Sequence, residues 1–259
     1  MSGVRRAAVR TGVGVVATGV LGAGMLVVEA ELARRREYAS ADSAPTVSGS
    51  VGPGSGVPLR VAVLGDSTAA GLGVVDTVDT VGAQVAATVS AETGRPVALD
   101  GLGVSGARSG DLAPQVSRAL LHDPDVAVIL IGPNDVTHLT SKSSVRADVT
   151  EAVRRLRAAG ANVVVGSCAD MGSATAFHQP LRLVSAWRGR AIGAAIRDAA
   201  ADAGALTVDI GAETGPAFRD DPDRYLSEDE FHPSAEGYRL WAEALLPKVR
   251  QAAGLVPAA

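Results

Sequence analysis

Short apolar runs alternate with amphipathic stretches from Leu59 almost to the end of the chain. Within the amphipathic stretches, apolar residues recur at the spacing of a helix with one buried face. Strands buried on both faces read as continuous apolar runs, and strand–helix alternation is typical of a parallel sheet covered by helices on both sides. The sequence therefore predicts a doubly wound, three-layer α/β domain with a five-stranded parallel sheet. The predicted strands are Val61–Leu64, Val97–Leu99, Val126–Ile131, Val163–Val165 and Leu206–Ile210.

The amphipathic stretches are predicted to cover this sheet as helices. Gly94, Gly160 and Gly204 predict where three of them end, and Ser234, a favoured N-cap type, predicts where the last begins. A polar loop is predicted from the fifth strand to Pro233. The residues predicted to face inward are Val78, Val81, Val85 and Val89; Leu112, Val116 and Leu120; Val145, Val149, Val153 and Leu156; Leu183, Trp187, Ile192 and Ile196; and Tyr238, Trp241, Leu245 and Val249.

A long uncharged segment lies near the amino terminus. Residues Thr11–Val28 contain only Thr, Gly, Val, Ala, Leu and Met, and Arg5, Arg6 and Arg10 precede them. At ~1.5 Å per residue the run is just long enough to cross a bilayer as a helix, and it has no polar face. We expect an uncleaved membrane anchor with the following domain outside the cytoplasm. The alternative is a cleaved secretory signal and a secreted domain.

Composition divides the chain into four parts. Residues 1–38 hold the basic and apolar segment, residues 39–58 are rich in Ser, Gly and Pro and are typical of a flexible linker, residues 59–251 form the α/β domain, and residues 252–259 are a tail. The net charge of -4 and the lack of a basic stripe beyond the amino terminus argue against a nucleic-acid partner. Cys168 is the only cysteine, which excludes an internal disulfide and a Cys-based zinc site.

The first predicted strand leads directly into Gly65-Asp66-Ser67. Ligands bind at the carboxyl ends of the strands in open α/β sheets, so Ser67 occupies a favourable position for binding or chemistry. Small residues after it leave room above its hydroxyl group. Asp and Ser are also common helix caps, so this stretch alone leaves both a nucleophile and a cap open.

Two further turns reach the same edge of the sheet as Ser67. Gly103 follows the second strand and Asn134 follows the third. A glycine N–H and an asparagine amide are both suitable donors to an oxyanion. After the fifth strand, Asp229 lies three residues before His232. At this spacing a carboxylate can hold an imidazole in the tautomer that accepts a serine proton.

Other candidates lie on or near the same edge. Asp135 and His138 form a second Asp-x-x-His pair, which the residues alone do not exclude. The glycines of residues 101–106 match the G-x-G-x-x-G dinucleotide fingerprint, but the next strand lacks the acidic residue that the fingerprint requires. Cys168 lies at a strand end without a surrounding motif and is predicted to be a small buried side chain. His178, in a long loop, is predicted to be a substrate-side or surface residue.

Taken together, the motifs resemble those of the SGNH hydrolases, also called GDSL-type esterases and lipases. Gly65-Asp66-Ser67, Gly103 within Gly-Val-Ser-Gly, Asn134 within Gly-Pro-Asn-Asp, and Asp229-x-x-His232-Pro occur in the family's order and spacing over nearly the whole domain. The resemblance implies a flavodoxin-like fold, with Ser67 as nucleophile, His232 as base and Asp229 as the group that orients it. It also implies an oxyanion hole made by Gly103, Asn134 and the Ser67 N–H. Thr68 stands where the family name has Leu, at a position that is not catalytic.

The expected activity is hydrolysis of a carboxylic ester through an acyl-enzyme intermediate, without a metal or a cofactor. A small or medium acyl ester is the preferred substrate, and glycan O-acetyl esters, lysophospholipids and thioesters are alternatives at the same site. The aromatic content of 3% does not favour a sugar-stacking groove. A catalytically silent binding module is the alternative from another class. The expected partners are an ester or lipid substrate and the membrane through the N-terminal helix.

Overall fold

A six-stranded mixed sheet forms the centre of the protein in a computed structural model that describes residues 24–33, 35–36, 38–53 and 56–255. The strand order is β1-β3-β2-β4-β5-β6. Strands β2 to β6 are parallel, and β1 pairs antiparallel with β3 at one edge. The strands are β1 Gly49–Val51, β2 Leu59–Gly65, β3 Val97–Gly101, β4 Val126–Leu130, β5 Asn162–Gly166 and β6 Leu206–Val208.

Helices cover both faces of this sheet. Four of them begin at side chains that accept a hydrogen bond from the first helical turn, namely Thr80, Ser141, Asp209 and Ser234. Ser234 was predicted to be such a cap. The helices are α1 (residues 24–33), α2 Val81–Thr93, α3 Leu112–Ala119, α4 Pro133–Thr137, α5 Lys142–Ala158, α6 Leu181–Asp202, α7 Ile210–Asp220, α8 Pro222–Tyr225 and α9 Ala235–Ala252.

Successive residues of the central strand β2 feed two separate cores. Val61 and Val63 pack on one face with residues of α2 and α9, whereas Ala62 and Leu64 pack on the other with α3, α5 and α6. This alternation follows from the two-residue side-chain period of a strand. The predicted three-layer α/β/α fold is confirmed, and the rigid β2 backbone holds its carboxyl end in place.

The sheet has one strand more than predicted. Its five parallel strands are joined by β1, which lies within the segment 39–58 that the composition predicts as a linker. Gly49-Ser50-Val51 is too short and too exposed to show an apolar strand pattern, and it is held by pairing with the free edge of β3. Val47 just before it is buried in the core. The domain boundaries stay a prediction.

Three local expectations were wrong. The predicted polar loop before Pro233 contains α7 and α8. Val78 lies in a short 3-10 turn before α2 and is exposed. On α6, Leu183 and Trp187 are exposed, because small residues form the face that packs on the domain.

No helix among the residues that the structure describes is long and apolar enough to cross a membrane. Of the predicted anchor Thr11–Val28, residues 11–23 lie outside the described part of the chain.

Candidate active site

Ser67 lies immediately beyond the carboxyl end of β2, two residues after Gly65. Gly65 has a φ of 140° and its backbone presses against Leu130 of β4, so no side chain fits there. The Gln115 side chain holds the backbone of Gly65 with two hydrogen bonds. Its Oε1 accepts the Gly65 N–H at 2.7 Å, and its Nε2 donates to the Gly65 carbonyl at 2.9 Å. Both residues are buried. The strand end therefore holds Ser67 on a rigid support.

Ser67, His232 and Asp229 form one hydrogen-bonded chain. The Ser67 hydroxyl lies 2.9 Å from His232 Nε2, and His232 Nδ1 lies 2.6 Å from Asp229 Oδ2. The side chains of His232 and Asp229 are 6% and 9% exposed, so water screens this pair little. The family resemblance implied that these three residues act together, and the structure brings them into hydrogen-bond contact.

The loop that carries Asp229 is shaped around its carboxylate. Asp229 Oδ1 accepts hydrogen bonds from the Ser227 hydroxyl and from the N–H groups of Phe231 and His232, each at 2.9 Å. Oδ2 accepts the Ala39 N–H at 3.0 Å in addition to His232. Burial by itself would raise the pKa of Asp229, but the hydrogen bonds from His232 and Ala39 hold it well below its usual range. Asp229 is therefore ionised whenever His232 could act as a base.

The sequence predicts three oxyanion donors, namely the N–H groups of Ser67 and Gly103 and the side-chain amide of Asn134. The N–H groups of Ser67 and Gly103 have no partner among the described residues. Gly103 packs so closely on the backbone of Ala69 and Ala70 that any side chain would clash. Asn134 follows β4 at the start of α4 and donates one amide hydrogen to the Ala107 carbonyl at 3.0 Å, which fixes its side chain and leaves a second hydrogen for a ligand.

Asp66 is a buried carboxyl group directly before Ser67 in the chain. Its Oδ1 accepts the Thr68 N–H at 2.9 Å and the Thr68 hydroxyl at 2.8 Å. Its Oδ2 is buried without a hydrogen-bond partner among the described residues. Burial raises the pKa of Asp66 to about 6, and the two bonds from Thr68 only partly offset it. Asp66 thus shapes the turn instead of capping a following helix.

The competing Asp-x-x-His pair does not form. Asp135 is buried and accepts the N–H and hydroxyl of Ser109 at 3.0 and 2.9 Å. His138 is exposed, and its Nδ1 lies 2.9 Å from the Asn134 carbonyl. Asp135 therefore braces the turn of Ser109, and the two residues share no hydrogen bond.

The two remaining candidates, His178 and Cys168, make no hydrogen bond to Ser67, His232 or Asp229. His178 is exposed, as predicted. Cys168 is buried, as predicted, and burial raises the pKa of its thiol well above the ordinary value, which removes thiolate reactivity. Among the described residues, no group of three or more metal-ligating side chains lies close enough to hold a metal ion.

An apolar groove of ≈ 520 Å³ opens beside Ser67 and His232. Its walls include Phe177, Leu181 and Val184, contributed by the β5–α6 loop and the start of α6. Ser67, Ser105 and Asn134 also line this groove. The groove therefore joins the Ser67 hydroxyl and the Asn134 amide to a space suited to a hydrocarbon chain.

Two hydrogen-bond donors to Asp229 were not predicted from the sequence. Ser227 donates to Asp229 from two residues upstream, and a serine in a polar loop gives no distinguishing signal. Ala39 donates through its backbone, which every residue except proline can do, and it lies in the segment predicted as linker. Neither could be recognised from residue type or spacing.

The sequence model of the GDSL-like lipase/acylhydrolase family matches residues 63–240. A GDSL-like esterase of Mycobacterium tuberculosis is 36% identical over 248 residues, covering 91% of this chain and 79% of the relative.

Solved structures show the same fold. A lipase/acylhydrolase from Enterococcus faecalis aligns with a TM-score of 0.59 and 19% identity, over 74% of this chain and 95% of that one. Axe2, an acetylxylan esterase from Geobacillus stearothermophilus, aligns with a TM-score of 0.54 and 20% identity, over 73% and 93%.

Proposed function

Because the chain belongs to the GDSL-like lipase/acylhydrolase family, we propose that Ser67, His232 and Asp229 carry out its ester hydrolysis as a catalytic triad. The enzyme is a carboxylic ester hydrolase by its family; the roles of individual residues and the substrate are the proposal. The observation that supports it best is the unbroken chain of hydrogen bonds from the Ser67 hydroxyl through His232 to Asp229.

In the first half-reaction Ser67 attacks the ester carbonyl. Its proton passes to His232 Nε2 as the Oγ–C bond forms, and the carbonyl oxygen becomes an oxyanion. The N–H groups of Ser67 and Gly103 and the free amide hydrogen of Asn134 are the donors available to that oxygen. His232 then returns the proton to the departing alkoxide, so an alcohol leaves and the acyl group stays on Ser67.

Water completes the cycle in the second half-reaction. His232 Nε2 takes a proton from water as the water oxygen attacks the acyl-enzyme, and a second oxyanion forms at the same donors. Collapse releases the carboxylic acid, and His232 gives the proton back to Ser67. Asp229 stays ionised throughout, because its hydrogen bonds hold its pKa low, and it stabilises the imidazolium that forms twice per turnover.

A small or medium acyl ester is the substrate that the site favours. The groove beside Ser67 is walled by Phe177, Leu181 and Val184, which suit an alkyl chain and offer no hydrogen bonds to sugar hydroxyls. One solved relative is an acetylxylan esterase by name, so removal of acetyl groups from a glycan is the alternative to be tested. Lysophospholipid and thioester substrates would use the same acyl groove.

The uncharged run Thr11–Val28 supports a second proposal, on location. We infer that residues 11–23 of this run hold the chain at a membrane, with the hydrolase domain on the extracytoplasmic side, whereas residues 24–28 belong to α1 beside the substrate groove. This inference is based on the sequence of the run and on the arginines before it.

A p-nitrophenyl ester series from acetate to decanoate, with acetylated xylan alongside, tests the proposed function. We expect turnover of the synthetic esters and covalent labelling by a fluorophosphonate, both lost in Ser67→Ala. Ser50→Ala, which removes an exposed hydroxyl from β1 that does not line the groove, is the matched control and should keep both. Unlabelled protein, or activity that survives in Ser67→Ala, would show that Ser67 is not the nucleophile.

A further inference from the structure

A segment far from the triad in sequence packs along the loop that carries Asp229 and His232. Arg36 Nη2 lies 2.6 Å from Glu230 Oε2. The Tyr38 ring packs edge-on against Phe231, with ring centroids 5.3 Å apart. These contacts, with the hydrogen bond from Ala39 to Asp229, engage three consecutive residues of the loop, 229 to 231.

The Ala39 hydrogen bond ends on the Asp229 oxygen that faces His232. The Ala39 N–H donates to Asp229 Oδ2 at 3.0 Å, and the same oxygen lies 2.6 Å from His232 Nδ1. The bonds to Oδ1 come from residues 227, 231 and 232 within the loop itself. Among the described residues, Ala39 is thus the only donor to this carboxylate from outside its own loop. It fixes the rotation of the carboxylate and holds negative charge on the oxygen that faces His232.

The helix before this segment borders the substrate groove. Leu26, Ala30 and Ala33 are spaced along one face of α1 and are partly buried, and all three line the groove with Ser67 and His232. Leu32 lies on the exposed side of the same helix, 54% exposed. One wall of the groove is therefore supplied by a helix that lies before the family-matched region, residues 63–240.

We propose that residues 24–33, 35–36 and 38–39, here called the strap, are a working part of the active site. Ala39 is a positioning residue for Asp229, and the inner face of α1 completes the binding site for an acyl chain that extends beyond the first few carbons. The proposal deepens the proposed function and depends on it, since it takes Ser67 and His232 as the reacting groups.

The positioning role is tested in the full chain by Ala39→Pro, which removes the N–H, against Ala39→Gly, which keeps it. We expect kcat on p-nitrophenyl acetate to fall at least tenfold in Ala39→Pro with KM nearly unchanged, and Ala39→Gly to stay within twofold of the parent. Ala41→Pro controls for the general effect of introducing a proline into this segment. Ala41 is the first residue of a 3-10 turn, and its N–H donates to no described residue.

The pH profile separates positioning from a general loss of structure. Without the Ala39 donor, Asp229 becomes more basic and binds the imidazolium of His232 more strongly, so the acid limb of kcat/KM should move to higher pH. The other charged groups around the pair, Arg36, Glu230 and Asp66, are the same in all three variants. An unmoved acid limb together with equal kcat for the proline and glycine variants would overturn the positioning role.

Tyr38 provides a second route should Ala39→Pro not fold. Its hydroxyl is buried without a partner among the described residues, so Tyr38→Phe should leave kcat unchanged. Tyr38→Ala removes the ring that packs on Phe231 and should lower kcat several-fold with the same shift of the acid limb. Equal kcat and equal pH profiles in these two variants would overturn the role as firmly as the first test.

The wall formed by α1 is tested with chain length. Leu26→Ser should raise KM for p-nitrophenyl octanoate at least fivefold and leave the acetate values unchanged, because the loss of apolar contact affects only the longer chain. Leu32→Ser, on the exposed side of α1, should change neither. An octanoate-to-acetate ratio that is the same in both variants refutes the wall. In each of these cases Ser67→Ala is still inactive, whereas an active Ser67→Ala refutes the proposed function itself.

Discussion

Changing Asp66 to Asn removes a carboxyl group that the fold buries completely, directly before Ser67. Burial raises the pKa of Asp66 to about 6, whereas an aspartate in an unfolded chain titrates near ~3.9. Between these values the folded protein binds more protons than the unfolded chain. The contribution of Asp66 to stability is therefore fully present below pH ~4 and is lost as pH rises through about 6.

The size of this effect follows from the two pKa values. Their separation corresponds to about 3 kcal/mol of unfolding free energy between pH ~4 and neutral pH. Asn cannot ionise, so the variant lacks this loss. We expect the stability of Asp66→Asn relative to the parent to rise by about 3 kcal/mol across that range, whatever constant difference the amide introduces.

Urea unfolding of both proteins at closely spaced pH values between 4 and 8 measures this difference directly. Asp229, whose pKa is lowered, acts in the opposite direction, and Asp135, whose pKa burial raises, acts in the same direction, but both are common to the two proteins. Asp76→Asn, at an exposed aspartate, controls for the loss of one negative charge. Parallel stability profiles for the parent and Asp66→Asn would refute the reasoning, since Asp66 would then titrate alike in the folded and unfolded states.

Three further outcomes are expected. His232→Ala should lower kcat by roughly 10⁴-fold or more, while His138→Ala keeps most of the activity; exchanged phenotypes in a p-nitrophenyl ester assay would assign the base to His138. Asn134→Ala should lower kcat by ~10²–10³-fold with little change in KM, and an effect confined to KM would place Asn134 in substrate binding. Full-length protein should sediment with membranes because of Thr11–Val28, and complete recovery in the soluble fraction with an intact amino terminus would refute the anchor.

The parts of the site that the sequence could predict are those that topology fixes. Ser67, Gly103 and Asn134 each follow a strand of a parallel sheet, and such strands all end at the same edge. Asp229 and His232 are close in sequence, so a single loop is enough to pair them. For residues of this kind, strand order and local spacing determine which groups meet.

The buried face of a helix was less predictable where small residues set it. On α6, Gly189 packs against Met171, and a methyl group there would lie only 3.0 Å from the Met171 side chain. Because Gly189 makes this close contact, Leu183 and Trp187 lie on the outer side of α6, although both side chains are more hydrophobic than glycine. Apolar periodicity counts large side chains, whereas close approach of a helix to its neighbours selects small ones. The prediction for α6 therefore placed Leu183 and Trp187 on the wrong side.

The Ala39 contact shows why part of an active site leaves no trace in residue type. A backbone N–H is present at every residue other than proline, so a donor of this kind is defined by where the chain runs and not by which side chain it carries. The chain is held at Ala39 by the flanking contacts of Arg36 and Tyr38 with Glu230 and Phe231. Almost any substitution of Ala39 keeps this N–H and therefore the hydrogen bond, whereas proline removes it. If the hydrogen bond to Asp229 matters for turnover, a scan that places every residue type at position 39 should therefore find activity with all of them except proline.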